Sequence, residues 1–213
     1  MNTLFIRVSC QKEREIWPRF RQHRYPQVII CGDPELGTNY KLDDDVLYVR
    51  CEDTWDRLPE KMIAAFDAVL FIPEFDGYDR FLKIDSDNGV RNSCKINECP
   101  DIQKHDYVGQ RVYDMKTRYN PRDYHFKRVS ESSYWHNKEY KGPMYPYADG
   151  GTSYVLSRYA LEVITSQYNF SNLSQVHKEH IYEDMMMGVL LKRHNIVPHQ
   201  CYYYIAGDKK IPR

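Results

Sequence analysis

Residues 81–87, Phe-Leu-Lys-Ile-Asp-Ser-Asp, form a short apolar run that ends in two carboxylates one residue apart. Alternate side chains of an extended segment point to the same side, so Asp85 and Asp87 can converge on one hard cation. A divalent ion such as Mg²⁺ or Mn²⁺ held by few protein oxygens keeps open positions that suit phosphate oxygens. The run therefore predicts a strand that delivers a metal to the end of a sheet, and a solvated acidic turn is the alternative interpretation.

A denser acidic run at residues 43–45, Asp-Asp-Asp, offers the same residue type. It follows the turn-rich residues 37–41 and precedes the strand-like residues 46–49, so it lies where a strand begins. In open α/β sheets, ligands bind outside the carboxyl ends of the strands. We therefore interpret residues 43–45 as a solvated loop and expect the metal at Asp85 and Asp87.

Length and charge favour a single enzyme domain spanning residues 1–213. A chain of 213 residues can bury a sizeable core. Lys plus Arg equals Asp plus Glu at 30 each, so no net field attracts nucleic acid or an anionic membrane. The chain has 19 Tyr and 3 Trp, whose flat rings can stack on sugars and bases, although most such rings fill cores.

The cysteines and the N-terminus indicate a soluble cytoplasmic protein. Six cysteines, at positions 10, 31, 51, 94, 99 and 201, lack the paired short spacings of a zinc site. Arg7 interrupts the first apolar stretch, which is too short for a signal peptide or a membrane anchor. We expect reduced thiols, with a disulfide between Cys94 and Cys99 as the alternative.

Apolar runs alternate with helical stretches, which is typical of an α/β domain. Strands are expected at residues 4–8, 28–31 and 46–49, and helices at 11–22 and 58–65. The next strand is expected at 80–84 rather than at 69–72, because it delivers the carboxylates. Residues 92–147 are polar and aromatic with proline breaks, which indicates short strands and loops of the kind that often bind a substrate. Further helices are expected at 158–167, with Ser157 as N-cap, and at 183–193.

Several motifs stand in one order along nearly the whole chain. They are Arg14-Glu15-Ile16-Trp17, Asp45-Val46-Leu47, Asp53-Thr54-Trp55, Lys61, Asp85-Ser86-Asp87, residues 145–157 (Tyr-Pro-Tyr-Ala-Asp-Gly-Gly-Thr-Ser-Tyr-Val-Leu-Ser) and residues 183–188 (Glu-Asp-Met-Met-Met-Gly). This ordered set resembles the fringe and beta-1,3-galactosyltransferase group of metal-dependent glycosyltransferases. Ile16 stands where that group has Thr, and Ser86 where it has a central Asp.

The resemblance implies a GT-A fold, a Rossmann-like mixed sheet flanked by helices. Residues 1–90 would bind the metal and a UDP-sugar, and residues 91–213 would bind the acceptor and carry catalysis. It implies Asp87 as the first metal ligand, Asp85 as the second, and a late histidine as the third. His199 is better placed for that role than His194, and a surface histidine is the alternative.

Donor contacts are expected from three groups of residues. Lys61, Arg14 and Arg57 can reach donor phosphates or hydroxyls unless they are ordinary surface charges. The first strand should line the base and ribose pocket, through Ile6, Val8 and Ser9. Ser86 lies between the metal carboxylates, while Asp149, Gly150 and Gly151 allow hydrogen bonds and a close backbone approach unless they form a plain turn.

Asp184 is the expected catalytic base, with Glu183 as the second choice. A carboxylate beside the acceptor can take the proton of its hydroxyl as that hydroxyl attacks. The alternative is that both acids only complement the dipole of a helix N-terminus. Trp135 and Tyr147 can stack on a sugar face, or they belong to an aromatic core.

Together these features predict an enzyme that moves a hexose or deoxyhexose from a UDP-sugar to a carbohydrate hydroxyl with Mn²⁺ or Mg²⁺, in glycan or glycoprotein synthesis. The alternatives are a sugar nucleotidylyltransferase, which would need a Gly-rich, basic signature near residue 10, and a noncatalytic carbohydrate-binding module. The small form without an anchor also resembles virus- or microbe-encoded cytoplasmic enzymes, including the first glycosyltransferase domain of a larger viral protein.

Overall fold

The computed structural model describes residues 1–21, 25–90, 96–114 and 122–203, and the backbone of 205–207. The strands in these ranges are β1 (Thr3–Val8), β2 (Gln27–Gly32), β3 (Tyr40–Asp43), β4 (Val46–Val49), β5 (Arg80–Asp85), β6 (Asn88–Val90), β7 (Tyr107–Gly109), β8 (Val112–Tyr113), β9 (Tyr147–Ala148), β10 (Tyr154–Ser157), β11 (His199–Gln200) and β12 (Ile205–Gly207). The α-helices are α1 (Trp17–Phe20), α2 (Leu58–Phe71), α3 (Pro100–Lys104), α4 (Arg158–Gln167), α5 (Leu173–Glu179) and α6 (Glu183–Lys192).

Eight of these strands form one mixed sheet in the order β11-β7-β10-β5-β1-β2-β4-β3. Strands β5, β1, β2 and β4 run parallel, while β10 runs antiparallel to both β5 and β7. Val8 of β1 lies level with Asp85 of β5, so the two parallel strands end together. The predicted mixed sheet flanked by helices is confirmed.

Side-chain alternation along β5 divides its apolar residues between the two largest of four hydrophobic cores among the described residues. Phe81 of β5 belongs to the larger core, which includes α2, α4 and α6, whereas Leu82 and Ile84 belong to a smaller core beside α3. Successive side chains of a strand point to opposite faces. Asp85 therefore shares the face of Phe81, two residues after Lys83.

The locally determined elements match their predictions closely. β5 occupies Arg80–Asp85, and residues 69–71 belong to α2, which continues six residues beyond the predicted end at 65. Pro59 suits the first turn of α2 because the missing N–H would have no partner there. Ser157 caps α4 by accepting a hydrogen bond of 3.0 Å from the backbone N–H of Ala160.

Several elements differ from the sequence interpretation. The predicted helix at 11–22 is a 3₁₀ segment, Gln11–Ile16, followed by the short α1, and residue 22 lies outside the described ranges. Strand β10 was not predicted, because its four residues are all buried and carry no polar alternation. In the 43–45 run, Asp43 ends β3 and Asp44 adopts a φ of 56° in a tight turn to β4. The run thus lies in a hairpin that enters β4, at the end of the strand opposite to ligand sites.

Within the described residues, none of the helices combines the length and the apolar character that crossing a bilayer requires.

Candidate active site

Lys83 and Asp85 meet at the carboxyl end of β5, where their side chains share one face of the sheet. The Lys83 ammonium lies 2.6 Å from Asp85 Oδ1 and donates a hydrogen bond of 2.8 Å to the carbonyl of Gly150. Burial alone would lower the pKa of Lys83, but the carboxylates of Asp85 and Glu183 outweigh burial and raise it. Lys83 is therefore a permanent buried cation next to the first acidic residue of the motif.

Asp87 lies in the exposed turn that follows Asp85. Partial burial, followed in importance by the charge of Asp85, raises the pKa of Asp87. Arg7 of β1 stabilises this turn, because its Nη1 donates hydrogen bonds to the carbonyls of Asp85 at 3.2 Å and Asn88 at 2.9 Å. The turn thus presents two neighbouring carboxylates, of which Asp87 is the more accessible.

Glu183 and Asp184 begin α6 and face Lys83 from the other side of the pocket. Glu183 is buried, accepts a hydrogen bond from the hydroxyl of Tyr154, and lies 3.7 Å from the Lys83 ammonium. Asp184 accepts a hydrogen bond of 2.8 Å from the N–H of Met185 through Oδ1. Burial, followed by the charge of Glu183, raises the pKa of Asp184 to about 7. Glu183 is thus tied into the structure, while Asp184 can change protonation near neutral pH.

The segment Asp149-Gly150-Gly151 closes over the end of β5. Its backbone accepts hydrogen bonds from Lys83 at Gly150 and, at 3.0 Å, from the side chain of Asn88 at Gly151. A Cβ at position 150 would lie 2.7 Å from Glu183 Oε2, so a side chain there would force the buried Glu183 to move. Asp149 lies 3.5 Å from Arg111.

Several of these groups line one pocket of about 260 Å³, although Asp87 is not among its lining residues. Its charged and glycine lining consists of Lys83, Asp85, Asp149, Gly150, Gly151, Glu183 and Asp184. Its aromatic lining consists of Trp55, Tyr124, Tyr147 and Tyr182, of which Trp55 and Tyr124 are exposed at 38% and 49%. A pocket with acidic groups at its base and exposed aromatic rings at its mouth can hold a polar ring compound and move a proton within it.

A comparison with protein families identifies the family of the chain. A family model described as galactosyltransferase matches residues 36–202, well over half of the 213-residue chain. The chain belongs to the galactosyltransferase family. The GT-A fold implied by the sequence resemblance is thereby confirmed. A search of the curated proteins found no matching relative.

In this member of the family, the basic residues expected at the donor lie outside the pocket. Lys61 is buried and bonded to the carboxylate of Asp53 and, at 3.0 Å, to the carbonyl of Ser9. Arg14 donates to the hydroxyl of Tyr48 at 2.8 Å, and Arg57 pairs with Glu60 at 2.8 Å. Each of the three cations already has a protein partner.

The residues of the first strand that were expected to line the base and ribose pocket, Ile6, Val8 and Ser9, do not line the pocket described above. Ile6 and Val8 are buried in the larger core. Ser9 is buried and donates to Glu13 at 2.8 Å, while its oxygen accepts from the indole of Trp17. Glu13 is close enough to Asp87 to raise the pKa of that carboxyl, as the smaller contributor after burial and Asp85. Glu13, which is bonded to Ser9, therefore lies near the turn that carries Asp87, and Ser86 is half-buried within that turn.

The structure does not bring His199 to Asp85 and Asp87. His199 lies on β11, three strands from β5 and in register with Val108, Val155 and Leu82, which all belong to the smaller core. Registered side chains share a face of the sheet, so His199 faces away from Asp85, and strand spacing alone separates them by roughly 14 Å. Among the described residues, no third His, Cys, Asp or Glu joins Asp85 and Asp87 in a compact ligand group.

Sequence reasoning missed Lys83 and Tyr154, and it left Trp135 and Tyr147 open between a sugar face and an aromatic core. Lys83 carried a usable signal, since it is a charge among the apolar residues of β5, two positions before Asp85. Trp135 is buried and donates to the carbonyl of His177 at 2.6 Å, so it belongs to the aromatic core, whereas Tyr147 lines the pocket.

Proposed function

We propose that this galactosyltransferase-family protein moves a hexose or deoxyhexose from a UDP-sugar to a carbohydrate hydroxyl with the help of Mn²⁺ or Mg²⁺. The observation that carries the proposal is a pocket in which Asp85, at the end of β5, lies with Lys83, Glu183 and Asp184. Asp87 follows in the adjoining turn. Glycosyl transfer needs charge neutralisation at the leaving diphosphate and a base at the attacking hydroxyl, and the two sides of this pocket suit these two tasks.

The carboxylates of Asp85 and Asp87 suit a hard divalent cation. Asp87 would be the direct ligand because it is exposed, and Asp85 would contribute second because Lys83 already shares its charge. Carboxylate oxygens are the ligands that Mg²⁺ and Mn²⁺ prefer, and such an ion would neutralise charge on the leaving diphosphate. His199 has no part in this proposal.

The glycine segment would contact the donor through its backbone. Gly151 is exposed at the pocket, and its neighbour Asp149 is half-buried with a carboxylate that can accept from sugar hydroxyls. Gly150 keeps the segment close to Lys83 and Glu183. This arrangement lets a sugar ring lie against main chain rather than against side chains.

Asp184 would accept the proton of the acceptor hydroxyl. Its pKa near 7 leaves a substantial ionised fraction at neutral pH and a carboxylate basic enough to draw a proton in the transition state. Trp55 and Tyr124 at the mouth would stack against the acceptor sugar. Attack by an acceptor positioned at Asp184, opposite the diphosphate, gives inversion at the anomeric carbon.

The test is UDP-sugar binding and UDP release across a panel of donors, with and without Mn²⁺. We expect one or a few UDP-sugars to be bound and turned over only with the metal, and Asp87→Ala to lose this response. Asp43→Ala is the matched control, because Asp43 is an exposed carboxylate of the hairpin before β4, paired with the exposed Lys41.

If Asp87→Ala binds and turns over donors as the parent does, the metal assignment is wrong. Glycan binding without metal-dependent UDP release would instead identify a noncatalytic carbohydrate-binding module. Release of diphosphate from a nucleoside triphosphate and a sugar phosphate would identify a nucleotidylyltransferase.

A further inference from the structure

A second group of metal-ligating side chains lies at the β11 edge of the sheet. Cys99 precedes α3, Asp101 lies in its first turn, and His105 follows it. His199 belongs to β11, and Cys201 follows that strand directly. Two segments about a hundred residues apart therefore contribute to one cluster, which explains why short-spacing rules for zinc sites did not reveal it.

The ligand atoms of this cluster are already close together. The thiol sulfurs of Cys99 and Cys201 are 2.8 Å apart, and both are free cysteines. The ligand atoms of Cys99, Asp101 and Cys201 all lie within 4.8 Å of one another, as do those of Asp101, His105 and His199. Asp101 belongs to both sets, and its Oδ1 lies 3.8 Å from His199 Nε2.

The composition of the cluster selects a thiophilic divalent ion. Thiolates and imidazoles suit Zn²⁺, whereas the all-carboxylate turn after β5 suits Mg²⁺ or Mn²⁺. With Zn–S bonds of about 2.3 Å, tetrahedral ligand atoms stand roughly 3.7 Å apart. To reach that spacing the two sulfurs would move apart from 2.8 Å, and Asp101 and His199, which are both half-buried, would turn towards them.

The charge balance of the cluster also favours a cation. Asp101 forms no ion pair with a Lys or Arg of the described ranges, and its neighbour is the imidazole of His199. Cys201 is buried in the smaller core, with Cys99 packed at the margin of that core. Two thiols beside a carboxylate that has no Lys or Arg partner among the described residues are a ligand set that a divalent ion would neutralise.

The cluster is separate from the pocket of the proposed transferase. Cys201 and the registered partners of His199 belong to the smaller core, on the face of the sheet opposite to Asp85 and Lys83. The sheet therefore lies between the two sites, and the residues of one cannot reach a metal held by the other.

We propose that Cys99, Asp101, His199 and Cys201 bind one structural zinc ion. His105 positions the imidazole of His199, since the two rings stack with centroids 4.1 Å apart and an interplanar angle of 11°. The ion ties the segment around β11 to the start of α3. The same C-terminal segment continues to β12, whose backbone pairs with β6 directly after the metal turn of Asp87.

The test is metal content and cobalt substitution on the full chain, kept reduced and stripped by a chelator. We expect one zinc per chain after reconstitution, and cobalt to give the thiolate charge-transfer band and the strong visible bands of a tetrahedral site. Cys201→Ser and Cys99→Ser should lose at least tenfold in zinc affinity, since each removes a direct ligand. Cys10→Ser is the matched control, being a half-buried free cysteine outside the cluster.

His199→Ala should weaken zinc binding at least tenfold, and His194→Ala, an exposed histidine after α6, should not. Circular dichroism of each variant separates ligand loss from unfolding, and the parent's cobalt spectrum alone tests the site if a variant fails to fold. Asp87→Ala should still bind zinc, so failure of the zinc proposal can be distinguished from failure of the transferase proposal. Absence of a thiolate–cobalt band in the reduced parent, or an unchanged band in a folded Cys201→Ser variant, overturns the proposal.

Discussion

At the residue scale, Lys83 is the cation on which the buried acids of the pocket depend. Its ammonium is shared by Asp85, Glu183 and the carbonyl of Gly150. Removing one partner of a buried ion pair leaves a desolvated charge and costs about 3–5 kcal/mol. We expect Lys83→Met to lower the free energy of unfolding by about that amount, as measured by urea denaturation.

Two comparisons isolate the charge effect in Lys83→Met. Adding Glu183→Gln removes the buried acid that Lys83 balanced, so the double variant should recover part of the loss. Lys41→Met breaks an exposed pair with Asp43 and should change stability little. A Lys83→Met variant no less stable than Lys41→Met would show that the pocket acids do not need this cation.

Asp184 provides the clearest link between an electrostatic shift and activity. We expect Asp184→Asn to retain UDP binding and to lose about 10²–10⁴ in kcat, the usual worth of a positioned base. Because a base must be ionised, kcat of the parent should rise as pH increases through about 7. A rate profile that keeps this rise in the Asn variant would remove Asp184 from the role.

The same shift predicts a pH dependence of stability. The pKa of Asp184 is raised from 3.8 to about 7, so the folded state holds a proton that the unfolded state has released between these values. The contribution of this group to stability is therefore lost as pH rises through that window, and the penalty is complete above it. Asp184→Asn should melt at a higher temperature than the parent at about pH 8, with the difference shrinking towards about pH 4. An equal difference at both pH values would contradict the shift.

At the element scale, the glycine segment before β10 fixes the distance between β5 and α6. Gly150→Ala would place a Cβ 2.7 Å from Glu183 Oε2 and 3.3 Å from Lys83 Nζ, whereas Gly151→Ala meets its nearest atom at 3.5 Å. We expect Gly150→Ala to cost about 1–3 kcal/mol in stability through overpacking and to lower activity. Gly151→Ala, the adjacent control, should leave stability nearly unchanged, and equal effects of the two substitutions would contradict the close approach.

The elements also show what a sequence can reveal. β5, α4 and α6 were predictable because their signals are local: an apolar run before acids, a serine cap, and a helical spacing of apolar residues. β10 was not, because a strand buried on both faces lacks alternation and its pairing with β5 and β7 is decided by distant residues. Distant residues also supply the partners of Lys83, and they form the cluster of Cys99 and Cys201, which are 102 residues apart, so neither could be predicted from local sequence.

At the scale of the whole molecule, the candidate pocket and the cysteine cluster lie on opposite faces of the sheet. The parallel strands β1 and β5 end level with one another, which brings the turn of Asp87 beside the segment that begins at Ser9. The antiparallel β10 then carries Tyr154 to α6, so the acidic helix end faces the same pocket. The smaller core and the cysteine cluster lie on the other face. Donor binding should therefore stabilise the fold through one face alone.

That expectation can be tested by thermal unfolding with UDP. A ligand that binds only the folded state at about 100 times its Kd adds about 2.7 kcal/mol. For a chain of this size that corresponds to a rise in Tm of roughly 5–10 °C. We expect this rise with UDP and Mn²⁺ together, and a much smaller one with UDP in chelator or with Mn²⁺ alone. Asp87→Ala should lack the metal-dependent part, while Asp43→Ala should keep it. If UDP in chelator raised Tm fully, or if Asp87→Ala showed the same rise in Tm as the parent, the nucleotide would bind without a metal held by Asp85 and Asp87.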